Sequence, residues 1–473
     1  MLAALAAALL AAVGVLLANL AGARPTVSAV PPGTDPGAPA VDATVGTSPT
    51  GQPLPPGFVG LSLEYPAIYS YAGSRPGRAL VRLIRNLSPG HRPVLRIGGN
   101  STDETWWPGQ GQPAPRGATF ALNEGWLRAT SALTDALDPR LIMGLNLASA
   151  RPHAAVSEAQ AFQRGLGSGH IEAFEIGNEP DLYGLFPWYK NVYRRPADYS
   201  LRDLIGEFSR WRAAIGRQLT VAGPAYATFD WSLSRFIDAE SGLKLVTFHH
   251  YPLDACLTKP SATGYPTIAR LLGDRASSGF AALLAPAVAA AHAHHLPFRL
   301  DELNSAACSG KWGVSNTFAS ALWILDTLFD LARAGVDGVN VHTFLGAAYA
   351  PFDVYHGHAV VRPEYFGMRL FTQAFPTGAR LLRVRVSPAG PLKVWATEGS
   401  GTRVTLINKD PRHAYRVRLR ARGLAGPAQL ELLKAPSARS TGGVTLGARK
   451  IVTPADGVYS ITVPAASAAL LIQ

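Results

Sequence analysis

The feature that most constrains the fold is a run of short apolar strands, each followed by a helical stretch, between residues 58 and 375. Eight strands can be read, at 58–64, 94–98, 141–147, 171–176, 219–222, 245–250, 298–302 and 339–344. Apolar residues recur at helical spacing in 78–87, 157–166, 197–217, 281–294, 316–334 and 364–375. Strands that are apolar throughout are buried on both faces, which is the condition of a parallel sheet flanked by helices. Eight of them predict an α/β fold, a closed (β/α)8 TIM barrel. A doubly wound open sheet is the alternative, but no G-x-G-x-x-G follows the first strand.

Beyond Gly378 the period changes to two. Strings such as RLLRVRVSP, LKVWATEG, RVTLINK, YRVRLRARG and GVYSITVPA alternate polar and apolar residues, as half-buried strands do. They predict a C-terminal antiparallel β-sandwich over residues 378–473, with the barrel at 58–377. Residues 41–57 hold one more strand, expected to pair into the sandwich, and 24–40 read as a Pro/Gly-rich linker. Residues 1–23 carry no charged side chain and end in Ala-Gly-Ala, which predicts an export signal or an N-terminal anchor. The protein is then expected outside the cytoplasm, secreted or held to the outer face of a membrane, with no further span.

Composition narrows the chemistry. With 47% hydrophobic and 16% charged residues the chain is not disordered. Two cysteines rule out a multi-thiolate metal site. The net charge of +12 comes from 8 Lys and 36 Arg in a sequence rich in Ala, Gly and Pro, so coding bias accounts for it as readily as an acidic ligand does. No nucleic-acid partner is expected.

In a (β/α)8 barrel the site is built on the C-terminal ends of the strands. Those ends carry Glu64, Arg96 with Asn100, Asn146, Asn178-Glu179, Tyr226, His249-His250-Tyr251, Glu302 and His342. Glu179 in EIGNEPDLY and Glu302 in RLDELNS end the fourth and seventh strands, which face one another across the mouth. Glycosidic cleavage needs two such carboxyls, one protonated at the leaving oxygen and one anionic beneath the anomeric carbon. Alternation places Glu175 within its strand and sends Asp301 and Glu302 to opposite faces, so only one of that pair should enter the site.

The GNEP motif with a Glu ending the seventh strand looks like the clan of retaining glycosidases built on this barrel. The strings RIGGNSTDETWW, FEIGNEPDLY, HHYPLDAC, DELNSAACSG and TFASALWILDTLFDLARAGVDGVN resemble glycoside hydrolase family 79, the heparanase and β-glucuronidase family. The resemblance runs from about Thr44 into the terminal strands. It implies an exported retaining β-glycosidase, an exo-β-glucuronidase, with Glu179 as acid/base and Glu302 as nucleophile. It implies Asn178 as the residue hydrogen-bonding the sugar 2-OH, no metal, no organic cofactor, and a glucuronide or oligosaccharide as substrate. Tyr226 and Tyr251 follow as site residues, with Tyr251 orienting Glu302. Glu64 and Asn100 are candidate substrate ligands; Tyr349 and the backbone of residues 304–309 are candidates for the uronic carboxylate. Animal heparanases carry a long insert after the first strand; here about a dozen residues fill that gap, which favours removal of a terminal sugar over endo cleavage.

Other readings stand beside these. The same mechanism could serve a β-glucoside, a β-galactoside or a heparanase-like endo cleavage, or the chain could bind carbohydrate without cleaving it. His292, His294 and His295 end an Ala-rich helix and read as a solvated face rather than a metal site. Cys256 and Cys308 fall in the loops after strands six and seven, neighbours in a barrel, and are expected to form a disulfide in an exported protein. Asn86 and Asn100 match N-x-[ST], but Asn100 sits in the expected site.

Overall fold

The computed structural model describes residues 38–473, apart from 74–75, 109–112, 188 and 356–357. The expected export segment and most of the linker lie outside the described residues. The first strand, β1 (Ala40–Thr50), belongs to the terminal sheet. Eight parallel strands then close a barrel: β2 (Val59–Glu64), β3 (Val94–Gly98), β4 (Arg140–Leu145), β5 (Ile171–Ile176), β6 (Val221–Tyr226), β7 (Leu243–His249), β8 (Phe298–Leu303) and β9 (Gly338–Thr343). Between and after them lie α1 (Arg78–Asn86), α2 (Glu124–Leu137), α3 (Pro152–Leu166), α4 (Leu201–Ile215), α5 (Leu233–Ala239), α6 (Ser278–Ala293), α7 (Phe318–Arg333) and α8 (Pro363–Ala374). The barrel predicted from the strand–helix alternation is the fold observed.

Local chemistry explains the elements that the periodicity left out. α2 follows Asn123, whose side chain accepts from the Trp126 amide and so satisfies one of the free N–H groups of the first turn. β6 extends through Gly223-Pro224, a dipeptide that reads as a turn in isolation.

The terminal strands β10 (Arg380–Ser387), β11 (Leu392–Glu398), β12 (Thr402–Asn408), β13 (Tyr415–Ala421), β14 (Ala428–Lys434), β15 (Tyr459–Val463) and β16 (Ser467–Ile472) form one curled sheet. Its order is β14-β16-β12-β11-β10-β1-β13-β15, and it closes over its own core of Val41, Leu392, Leu406, Val417, Ile461 and Leu471. β1 pairs antiparallel with β10 and parallel with β13, so the sheet is mixed at that point.

The other face of β11, β12 and β16 packs on the barrel. Trp395 stacks on Phe329 of α7 with ring centroids 5.1 Å apart and planes 6° apart. The Trp395 indole donates to Asp326, whose other oxygen takes the buried Lys409 ammonium at 2.7 Å. Such an aromatic pair contributes about 1 kcal/mol beyond its buried area.

Candidate active site

Charges inside apolar strands build the floor. Arg96 in VLRIG and Glu175 in FEI both point into the barrel and are fully buried. Arg96 Nε donates to Glu175 Oε2 at 2.7 Å, Nη1 to Glu302 Oε2 at 2.6 Å and to Ser62 Oγ at 3.1 Å, and Nη2 to Asn178 Oδ1 at 3.0 Å. One guanidinium thus orders groups from β2, β5 and β8 and the turn after β5; its rigid planar fork suits that better than a lysine.

Asp301 and Glu302 do not take opposite sides. The register of β8 shifts between Leu300 and Glu302 against β7, and between Leu300 and Leu303 against β9. This irregularity brings both carboxylates inward: Asp301 lies 3.5 Å from Arg96 and 3.4 Å from His249 Nε2, while Glu302 reaches the cavity above. Alternation assumes a regular ladder, and a bulge breaks it.

Glu179 sits in the turn after β5 with a left-handed backbone, φ 50°, and its amide donates to Ala225 at the end of β6. His249, at the end of β7, joins the two carboxylates. Its Nδ1 lies 3.2 Å from Glu179 Oε1 and 4.0 Å from Glu302 Oε2. Oxygens of Glu179 and Glu302 themselves come within 4.8 Å of one another. Tyr251 donates to Glu302 Oε1 at 2.7 Å, and His342 stands 3.8 Å from Oε2.

The electrostatics separate these groups. Burial opposes the charge of Glu302, but His342, His249, Arg96 and the Tyr251 hydroxyl together hold its carboxyl well below the usual carboxylate range. Burial and Arg96 likewise oppose charge on His249, yet Glu302, Asp301 and Glu179 raise it to about 10. Burial pushes Glu175 up to about 8 against the pull of Arg96, and the neighbouring Asp301 raises it further. The ligand atoms of the trios Glu179–His249–Glu302 and Glu175–His249–Asp301 each lie within 4.8 Å of one another.

The cavity above this floor has a volume of about 1000 Å³. Glu64, Asn100, Glu179, Tyr251, Glu302 and Tyr349 all line it. Glu64 accepts from the Ser101 amide at 2.9 Å and faces His342 Nε2 at 3.4 Å. Asn178 does not line it: the side chain is fully buried one layer down, its amide oxygen engaged by Arg96 and its nitrogen 3.4 Å from Asn100 Oδ1. Tyr226 is a clearer correction. It is wholly buried among Trp231, Phe236 and Phe248, and its hydroxyl has no partner among the described residues. β6 continues past the predicted strand end, which places residue 226 inside the ladder rather than above it.

Cys256 and Cys308 are joined, with Cα atoms 5.7 Å apart, and both line the cavity. His292 and His294 meet Asp337 and Asp238 on the surface. Arg96, His249 and His342 stood among the strand-end residues without an assigned role. The signal that could have assigned one was a charged or titratable residue in an otherwise apolar barrel strand, which is buried only when paired.

A β-glucuronidase of Aspergillus niger is 26% identical to this chain over 342 residues, 62% of this chain and 59% of that protein. One of Neurospora crassa is 25% identical over 356 residues, 66% of this chain and 61% of that protein. This chain is similar to β-glucuronidases. The match spans about three-fifths of the length of those relatives. No protein-family model matches the chain. Among solved structures, a 4-O-α-L-rhamnosyl-β-D-glucuronidase of Fusarium oxysporum superposes with a TM-score of 0.74 at 20% identity, covering 91% of this chain and all of that one. A GH51 arabinofuranosidase of Xanthomonas axonopodis superposes at 0.68 and 16% identity, over 92% of this chain. These structures share the fold.

Proposed function

We propose that the protein is a retaining β-glycosidase that removes terminal β-D-glucuronic acid. The observation that carries this reading is the carboxyl pair: Glu179 and Glu302 have oxygens within 4.8 Å of one another, and Glu302 is held ionised. Retaining enzymes place their carboxyls about 5–5.5 Å apart, whereas inverting ones leave about 6.5–9.5 Å for a water.

In the first step Glu179 gives its proton to the glycosidic oxygen while the Glu302 carboxylate attacks the anomeric carbon from the opposite face. The leaving alcohol departs and a glycosyl ester on Glu302 remains. Glu179, now a base, takes a proton from water, which displaces Glu302 and releases the sugar with its configuration retained. His249 holds the acid/base oxygen; Arg96 and Tyr251 hold the two oxygens of the nucleophile.

The choice of a glucuronide is supported by the similarity to two β-glucuronidases and by the loop at Cys308–Gly310. Three successive residues there have positive φ, 58°, 66° and 74°, and Ser309 lines the cavity beside Tyr349. Successive backbone amides turned this way make concavities that bind anions. One observation favours a second reading, a neutral β-hexoside: Glu64 and Glu104 also line the cavity and would repel a carboxylate. The disulfide and the apolar residues 1–23 support export.

The test is a panel of aryl β-glycosides. Turnover of the glucuronide with retention of configuration, and a 2-fluoro glycosyl adduct on Glu302, are expected. Turnover of glucosides alone refutes the uronide; an adduct elsewhere refutes the nucleophile.

A further inference from the structure

Away from the cavity, the curled sheet concentrates positive charge on one face. β10 (RLLRVRVS) and β13 (YRVRLRA) alternate arginine with apolar residues, and β1 runs between them. The register sets Thr44 between Arg385 and Arg420, and Asp42 between Ser387 and Arg418. Val41, Ala43, Val45, Val417, Leu419 and Ala421 are buried in the sheet's core. The alternate positions, Arg383, Arg385, Arg416, Arg418 and Arg420, therefore face outward. Four of them are exposed and Arg416 is half-buried. β15 extends the face with Ser460 and Thr462, opposite Arg418 and Arg416.

The register places Asp42 among these arginines, 3.5 Å from Arg418. Neighbouring strands lie about 4.8 Å apart, so the two arginine rows are separated by about 10 Å, with arginines about 7 Å apart along each row. Like charges on one rigid face repel. The arrangement is thus an electrostatic cost to the free protein that a bound polyanion relieves. Each guanidinium offers a planar fork that pairs bidentately with a carboxylate, and the hydroxyls of Thr44, Ser460 and Thr462 lie among them for a sugar's ring oxygens and hydroxyls.

We propose that this face is a second binding site, for an extended anionic polysaccharide of uronic acids. The outward positions named carry no aromatic or large aliphatic side chain. They therefore lack the platforms that stack nucleic-acid bases and the wedges that enter a lipid surface. That the anion is a uronate rests on the reading of the cavity; that the face binds polyanions does not.

The experiment measures binding of polyglucuronate to the full chain by affinity electrophoresis across a salt series, with dextran, duplex DNA and phosphatidylglycerol vesicles as comparisons. Polyglucuronate is expected to bind and dextran not to bind. The Arg385→Ser/Arg420→Ser double variant is expected to weaken Kd at least about 10-fold and to flatten its dependence on salt. Its kcat/KM on a small aryl β-glucuronide should match that of the unsubstituted protein, which also reports that it folds. No polyglucuronate binding at low salt, or an unchanged Kd in the double variant, overturns the site. Tighter binding to DNA or to vesicles than to polyglucuronate overturns the polysaccharide assignment. Binding of polyglucuronate without cleavage of any glucuronide refutes the cavity's reading and leaves this site standing; cleavage without polymer binding does the reverse.

Discussion

Replacing Tyr251 with phenylalanine removes one oxygen and little else. That oxygen donates to Glu302 Oε1 at 2.7 Å inside a buried site, while Arg96 holds Oε2. A hydrogen bond to a charged group contributes about 1.5–3 kcal/mol, and one pKa unit is about 1.4 kcal/mol, so the Glu302 carboxyl should rise by about 1–2 units. Glu302 attacks only as the carboxylate, so the acid limb of activity follows its ionisation. The acid limb of kcat/KM should therefore move up by about 1–2 units in Tyr251→Phe. The rate on the plateau should fall about 10–100-fold, because the carboxylate loses one of the two contacts that orient it. A more basic carboxylate is also a better nucleophile, which offsets part of the loss. The assay is the pH dependence of aryl glucuronide hydrolysis, with the unsubstituted protein alongside. An unmoved acid limb together with a plateau within twofold would refute the argument that Tyr251 sets both the charge and the orientation of Glu302.

Glu179→Ala should lower kcat/KM by about 10²–10⁴ for substrates with poor leaving groups and far less for activated aryl glycosides, because only the former need the acid; equal losses for both would contradict the assignment. Glu175 has a folded pKa near 8 against an ordinary value near 4.5, so the folded state holds a proton that the unfolded state releases, and stability falls as pH rises across that window. Glu175→Gln keeps an acceptor for Arg96 and does not titrate. Its denaturant-measured stability relative to the unsubstituted protein should grow by a few kcal/mol between pH 5 and 8, and a difference flat with pH refutes the raised Glu175 pKa. The disulfide closes a loop of 52 residues, for which chain entropy gives about 4 kcal/mol. Cys256→Ser/Cys308→Ser should accordingly lower Tm by several degrees; an unchanged Tm shows that the loop is held by its other contacts.

The barrel was legible because its information is local. A parallel strand covered on both faces must be apolar along its whole length, and the helices that cover it must show a 3.6-residue period. Eight repeats of that pair leave little besides closure. Glu179 and Glu302 were legible for a related reason: each follows the end of a strand, where barrel geometry assigns the side chain to the mouth without knowledge of its neighbours. Tyr226 was misplaced because Gly223-Pro224 looks like a turn, and pairing with β7 carries the strand through it.

What tertiary structure alone decided is which charges meet. The shift in β8 sets Asp301 and Glu302 on the same side, a fact about two ladders that alternation along one strand does not contain. From it follow the carboxyl pair beneath the site, the His249 imidazole between Glu179 and Asp301, and the depressed Glu302. The parallel pairing of β1 with β13 gathers arginines from two distant strands onto one face, giving a shared location to charge that composition recorded only as a sum. Sequence determines residue chemistry and local periodicity; register and long-range pairing determine distance, and electrostatic energy depends on distance.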